Sequence, residues 1–281
     1  MTEDKQDIVK KVDSLKEISR VIRKDILNMV MKAGEGHIAS AFSFVDILSV
    51  LYFHTMNVDP EEPAWEERDR FILSKGHGCS ALYSVLARRG FFSPDDLNTI
   101  GERDTIFGGH PDKYKVPGVE VSTGSLGHGL SIGIGMSLAA KRDKKDYNVY
   151  VLLGDGECQE GSVWEAAMFA PAYGLDNMIA IVDFNGLQAI GETDDIITLK
   201  PFAKKWESFG WAVKEINGHD YNEIMDAMSQ FPFSEGKPSV IIANTVKGKG
   251  VSFMENQIMW HARATTEEEY KQALMEIDHS F

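Results

Sequence analysis

Several things are scarce in this sequence, and each scarcity removes a class of function. Cys79 and Cys158 are the only two cysteines in 281 residues. Two thiols cannot build a disulfide framework or a cysteine-rich zinc site, so a reducing cytoplasm is the default compartment. No apolar run approaches the about 20 residues that a membrane-spanning helix needs. Residues 1–11 are charged and lack the apolar stretch of a secretory signal. Basic charge is in deficit, with 29 Lys and Arg against 43 Asp and Glu and a net charge of −14. That balance argues against sequence-independent nucleic-acid binding, which needs a basic surface. An acidic chain can still bind an anionic cofactor, but a metal or local N–H groups must then do it. Repeats, low-complexity tracts and composition shifts are also missing, so one domain over residues 1–281 is expected.

What remains is an alternation of helix-like and strand-like segments. Residues 8–32 carry Val12, Leu15, Ile18, Ile22, Ile26, Met29 and Val30 at helical spacing, and Gly34 and Gly36 stop them. Ser43 is a plausible N-cap for a helix over 44–56, with Asp46 in a box-like role. A strand over 71–73 and a helix over 79–89 follow, and Ser93-Pro94 opens a further helix. Residues 101–125 form a long Gly- and Pro-rich segment of the kind that tends to be functional. Helices are expected over 129–142, 160–173, 200–210, 221–231 and 266–277, and strands over 149–153, 178–184, 211–216 and 240–246. The alternation predicts an α/β fold, a mostly parallel sheet with helices on both faces.

Two strand ends carry the strongest signal. Gly154-Asp155-Gly156 closes one apolar run and Asn185 closes the next, thirty residues on. This puts a carboxylate and a carboxamide on the same edge of one sheet, where ligands of α/β folds sit. Two hard oxygen ligands flanking a bare glycine suit Mg²⁺ or Ca²⁺ gripping a diphosphate, with the Gly156 backbone close to the phosphates. The helix after Gly161 is expected to aim its N-terminus at them. Alone, Gly-Asp-Gly is a common surface turn, and only the paired strand ends lift it above that.

Five of the eight histidines follow a glycine: His37, His77, His110, His128 and His219. Several imidazoles meeting in one cleft would hydrogen-bond sugar hydroxyls and move protons near neutral pH. His54 reads as structural, and His219 and His279 as surface residues. Lys247 and Lys249 lie in a glycine-spaced loop that is either a phosphate loop or an ordinary flexible surface loop. Glu160 and Glu165 are either solvated or part of a carboxylate network at a subunit interface.

The motif set Leu73-Ser74-Lys75-Gly76-His77, Gly109-His110-Pro111, Thr123-Gly124-Ser125-Leu126-Gly127-His128-Gly129 and Gly154-Asp155-Gly156-Glu157-Cys158-Gln159-Glu160-Gly161 resembles the transketolases. The chain looks like their N-terminal, thiamine-diphosphate-binding half in its split, two-subunit form. His128 stands where full-length members usually carry Gln and split forms His. The resemblance implies Asp155, Asn185 and the Leu187 carbonyl as metal ligands for Mg²⁺ or Ca²⁺. It implies Gly156, His77 and His261 at the diphosphate, and Gly124 and Leu126 beside the aminopyrimidine. It places His37, His110 and His261 along the substrate channel as catalytic residues, with Glu160 near the cofactor and, with Glu165, at the interface. The implied reaction moves a two-carbon ketol unit from a ketose phosphate to an aldose.

The resemblance also implies what lies elsewhere. The glutamate that acts on the aminopyrimidine belongs to a pyrimidine-binding domain, expected on a separate C-terminal subunit. A two-plus-two heterotetramer is the natural closed form. The apolar helix over 160–173, through Val163, Trp164, Ala167 and Phe169, is expected to supply buried contact surface. The sequence departs from the family at Ala262-Arg263-Ala264, where a proline is often found. Two other readings compete: the α subunit of a 2-oxo acid dehydrogenase, and a non-catalytic scaffold. The Gly-His-Pro and Lys-Gly-Lys-Gly motifs favour transketolase.

Overall fold

The computed structural model describes residues 5–279. Met1 to Asp4 and the terminal Ser280 and Phe281 lie outside them. The chain opens with helix α1, Lys5–Ala33, then α2, Ile38–Phe42, and α3, Val45–Val50. Strand β1, Arg70–Leu73, leads into α4, Cys79–Arg89. After the long loop come α5, Gly129–Asp143, β2, Val149–Gly154, α6, Gly161–Ala172, and β3, Met178–Phe184. Then follow α7, Thr193–Ile196, α8, Phe202–Ser208, β4, Ala212–Asn217, α9, Tyr221–Ser229, β5, Ser239–Asn244, and α10, Glu267–His279.

The five strands form one sheet in the order β1-β2-β3-β5-β4, and every neighbouring pair is parallel. β2, β3 and β5 are mostly apolar because helices cover both of their faces, with Asp183 the buried exception in β3. Their side chains alternate between two cores. Tyr150, Leu152, Ile179, Ile181 and Ile241 face the core that includes α1, α3 and α4. Val149, Val151, Leu153, Ala180, Val182 and Ile242 face the one that includes α5, α6 and α8. In the register Gly154 pairs with Asp183, and Phe184 with Asn244. The carboxyl ends of β2, β3 and β5 therefore finish level, and the loops that follow them share one edge.

The expectation at Ser43 fails. Ser43 caps the C-terminal end of α2 in the turn between the two helices, and α3 starts after Phe44 rather than after a serine cap. The Ser43 hydroxyl has a stronger use than capping: it donates to the buried Asp183 carboxylate at 2.6 Å. Past Val50 the chain winds into a π-helical turn, Leu51–Thr55, that carries His54. Ser93-Pro94 opens a short 3-10 turn, Pro94–Thr99, rather than a full helix, with the Ser93 hydroxyl accepting from the Asp95 N–H at 3.2 Å. Among the described residues, no helix is long and apolar enough to cross a membrane.

Candidate functional site

Four loops converge beyond the carboxyl edge of the sheet, those after β1, β2, β3 and β5, joined by the stretch before α2 and the loop that precedes α5. Together they enclose a cleft of about 500 Å³. His37, His77, Gly124, Leu126, Asp155, Gly156, Glu160, Asn185, Leu187 and His261 all line it. His110 lines an adjoining cleft of about 620 Å³ that shares His37 and His77 with the first. A Cβ on Gly124 would sit 3.4 Å from the His110 ring, so the two clefts meet there. The structure thus brings together the residues expected to hold the metal, the cofactor and the sugar, from segments spread over more than two hundred positions. His128 immediately precedes α5 and is exposed, and it lines neither cleft.

The floor of the cleft is charged and tightly wired. Asp155 is buried, and its carboxylate accepts from the backbone N–H of Gly156 at 2.7 Å and of Gly186 at 2.6 Å. Burial and the neighbouring Asp183 charge push its carboxyl up to about 6. Burial also opposes the charge on Asp183, but Lys75 and the Ser43 and Thr245 hydroxyls together outweigh it and hold that carboxyl below the usual range. The Lys75 amine donates to Asp183 at 2.5 Å and to the Ser40 carbonyl at 3.1 Å. Asn185 donates to Asp183 at 3.1 Å and accepts from the Leu187 N–H at 3.1 Å.

Three imidazoles form the cleft wall. The rings of His37, His77 and His261 are mutual neighbours, with centroids 5.1, 5.3 and 5.7 Å apart. Burial, with help from Lys75, takes His77 down to about 2. Burial and Lys247 take His261 down to about 3. His37 is lowered by burial and by His110. All three stay neutral near pH 7, where each ring donates one proton and accepts one. The Lys247 amine lies 2.7 Å from His261 Nδ1 and donates to the Leu187 carbonyl at 2.9 Å. Burial and Lys75 lower that amine to about 8. His110 sits on the exposed tip of its loop, which Tyr83 pins by donating to the carbonyls of Gly108 at 3.0 Å and His110 at 2.8 Å.

The residues fit a divalent cation with a diphosphate. Asp155, the Asn185 amide oxygen and the Leu187 carbonyl are hard oxygen donors, the set that Mg²⁺ and Ca²⁺ prefer. The described residues hold no cluster of three His, Cys, Asp or Glu side chains that would bind a metal by themselves. Any cation held there would need further oxygens from water or a bound ligand. A Cβ on Gly156 would fall 2.8 Å from the Gln188 side chain, so only glycine leaves that floor open. The Gln188 Nε2 is buried in the same place without a hydrogen-bond partner, a donor left for a ligand.

Sequence reasoning missed part of this constellation. Ser40, Lys75 and Gln188 line the cleft but carried no assigned role, although Lys75 lies inside a quoted motif. Glu157 is a hub: it accepts from the Ser74 hydroxyl and from the N–H groups of Gly127 at 2.9 Å and Gly154 at 3.0 Å. One buried carboxylate thereby ties three cleft loops together. Gly127 can serve only as glycine there, since its φ is +84° and a Cβ would meet Ser162 at 2.5 Å.

Three expectations need correction. A 3-10 turn, Gly156–Gln159, intervenes before α6, and that turn with Glu160, rather than α6 itself, faces the cleft. His219 is not a surface residue: its Nδ1 lies 2.8 Å from the buried Asp46 carboxylate, and its Nε2 accepts from the Val246 N–H at 2.8 Å. In α6, Val163 and Ala167 are fully buried in the chain's own core, and Trp164 packs against it, so the apolar surface it presents comes from Met168, Phe169 and the following Tyr173.

A parallel sheet whose loops gather oxygen ligands, glycines and histidines at the strand ends defines an α/β thiamine-diphosphate-binding fold. Residues 14–279 match the family described as transketolase, thiamine diphosphate binding domain, and the chain belongs to it. It is 45% identical over 266 residues to one subunit of the apulose-4-phosphate transketolase of Phocaeicola vulgatus, covering 95% of this chain and 94% of that one. It is 44% identical over 260 residues to the 6-deoxy-6-sulfo-D-fructose transketolase subunit SqwG of a Clostridium species, covering 92% and 94%. The crystal structure of Campylobacter jejuni transketolase superposes with a TM-score of 0.88 at 34% identity. That match takes in 94% of this chain and 42% of that one, so the chain spans about two fifths of a full-length transketolase.

Proposed function

We propose that this chain is the thiamine-diphosphate-binding subunit of a two-subunit transketolase that moves a two-carbon ketol unit between sugar phosphates. The observation that carries the reading is the single cleft in which the Asp155/Asn185 strand ends and the three mutually packed imidazoles meet. The near-complete coverage of chains named as transketolase subunits supports the split form.

Asp155, Asn185 and the Leu187 carbonyl would hold Mg²⁺ or Ca²⁺. Lys247, His77 and Gln188 would donate to the diphosphate, with Gly156 leaving room for it. Leu126 and Gly124 would flank the aminopyrimidine. When bound, the cofactor supplies a carbon nucleophile and an electron sink. The protein's share is orientation and proton traffic. Neutral His37 and His261 would donate to the donor sugar's carbonyl and hydroxyl oxygens and take protons back, and His110 would do so from the adjoining cleft. Among the described residues, that second cleft is lined by Glu35 and Glu102 and by no lysine or arginine. The anionic end of the sugar is therefore assigned to the partner chain, as is the glutamate that acts on the aminopyrimidine.

The assembly we favour is two-plus-two. α5 and α6 pack together and leave Ile132, Met168, Phe169 and Tyr173 at the surface, a patch suited to association. A cytoplasmic location is in keeping with the two free thiols, Cys79 and Cys158, both buried. The test is reconstitution. The chain alone should show no ketol transfer from a ketose phosphate to an aldose, and the chain mixed with a pyrimidine-domain subunit should show it. Robust turnover by this chain alone would sink the split-site reading. Oxidation of a 2-oxo acid by the mixture would favour the dehydrogenase alternative.

A further inference from the structure

The cofactor reading leaves unexplained a buried charged cluster behind the cleft. Asp46 sits almost fully buried in α3. Arg23 of α1 grips it with two bonds, at 2.8 and 2.9 Å, and the Tyr221 hydroxyl donates to it at 2.7 Å. His219 completes the set from the loop after β4. Two of these partners also hold the loop after β5. Arg23 Nε donates to the Lys249 carbonyl at 3.1 Å, and the Val246 N–H donates to His219 Nε2 at 2.8 Å. A backbone N–H can only donate, so His219 Nε2 is unprotonated, and the ring proton sits on Nδ1 facing Asp46. The two grips fall on either side of Lys247.

We infer that Arg23 and His219, anchored on Asp46, are positioning residues that clamp the Val246 and Lys249 backbone and so fix the Lys247 amine at the diphosphate end of the cleft. The turn is also tied by the Gly248 N–H bond to the Ala39 carbonyl at 2.9 Å and by the Asn256 N–H bond to the Lys247 carbonyl at 2.9 Å. Lys247 is nearly fully buried and reaches the Leu187 carbonyl and His261 at hydrogen-bond distance. Such reach leaves little tolerance for a loop that wanders. The inference rests on the cofactor reading for its purpose, but its geometry is testable without it.

The experiment uses the full chain and three variants. In His219→Asn the amide can still donate to Asp46 but is too short to accept from Val246. In His219→Gln the longer amide can accept from Val246. Backbone hydrogen exchange over residues 246–250, without cofactor, should speed up by about tenfold in His219→Asn, the scale of one lost buried hydrogen bond. His219→Gln should stay near the parent. Calorimetry with thiamine diphosphate and Mg²⁺ should show the same order, with about tenfold weaker binding in His219→Asn. Lys247→Ala should lose affinity while keeping parental exchange elsewhere in the turn. Parental exchange in His219→Asn, equal behaviour of the two His219 variants, or unchanged affinity in Lys247→Ala would each overturn the clamp. Failure of the parent chain to bind the cofactor would instead count against the proposed function, with the exchange data still deciding the clamp.

Discussion

Two buried aspartates lie within the same α/β framework and are treated in opposite ways. Asp46 is saturated: Arg23, His219 and Tyr221 all reach its carboxylate, and the Arg23 and His219 contacts outweigh burial to hold it well below the usual range. Asp155 receives only backbone N–H groups and a threonine hydroxyl, and burial beside Asp183 pushes it up to about 6. Among the described residues it has no ion pair. A carboxylate that serves the fold is neutralised by its own chain. One proposed to take a cation is left short of positive charge, because a built-in partner would compete with the ligand. The difference is the one that the proposed cation site would require.

The comparison breaks first, and hardest, at Arg23. Arg23→Met should cost about 3–5 kcal/mol, because it strands a buried carboxylate, and denaturant titration would read the loss. The acid limb gives a second check. Asp46 has a folded pKa below its unfolded value of about 4, so its contribution is present above that value. It is lost as the pH falls through the folded value. Asp46→Asn should therefore be less stable than the parent at pH 7 and lose stability less steeply below about pH 4. A parental slope there would mean that Asp46 is not held as described.

Asp155 should show the reverse pattern. Asp155→Ala should weaken joint binding of thiamine diphosphate and Mg²⁺ by at least about 100-fold, the upper range seen when even supporting residues of a metal site are removed. Its folding cost should be that of an ordinary substitution, about 1 kcal/mol. Calorimetry and denaturant titration on one preparation separate the two effects. Parental affinity would remove Asp155 from the site. A folding loss as large as that of Arg23→Met would erase the distinction between the two aspartates.

How much of this was legible in the sequence follows from how local each signal is. Asp155 and Asn185 were readable because strand ends and a thirty-residue spacing fix where both side chains emerge, and the register at Gly154 and Asp183 delivers them to one edge. Of the five glycine-flanked histidines, His37, His77 and His110 reach the two clefts, while His128 and His219 do not. His219 was misjudged because its meaning depends on Asp46, 173 positions away in sequence. Glu157 was passed over inside a quoted motif because two of its partners, Ser74 and Gly127, come from other loops. Ser43 carried a cap signal that a buried carboxylate overrode. Ala262-Arg263-Ala264 looked like a break in the pattern, yet Arg263 stacks 3.9 Å over Trp260 and pairs with Glu269 at 2.6 Å. Local physics found the elements and the strand-end site, while the wiring between distant loops needed the fold.

The site's histidines sharpen the contrast between buried and open groups. His110 is exposed on a pinned loop, whereas His77 is half-buried in the cleft wall. His110→Ala should cut kcat/KM of the reconstituted enzyme by about tenfold to a hundredfold, equivalent to about 1–3 kcal/mol for a lost polar contact. Cofactor affinity should stay parental, since no described contact links His110 to the oxygen ligands. Wild-type turnover would return His110 to a loop role. A matching loss of cofactor affinity would place it at the cofactor instead of the sugar.

The smallest effect on the fold is expected on the outer face of α6, where the same helix carries both kinds of side chain. Val163 and Ala167 are fully buried, while Met168 and Phe169 are 60% and 40% exposed, with Tyr173 stacked 4.3 Å from Phe169. Phe169→Ser removes apolar area that the isolated chain does not bury well, so its folding stability should stay within about 0.5 kcal/mol of the parent. Val163→Ala removes two methyl groups from a packed interior and should cost about 1–2 kcal/mol. If the outer face joins two copies of this chain, Phe169→Ser should shift sedimentation toward the monomer, while Val163→Ala should leave association unchanged wherever the protein is folded. Equal association in all three proteins would mean that the exposed stripe is ordinary surface, and the two-plus-two assembly would then need a different contact.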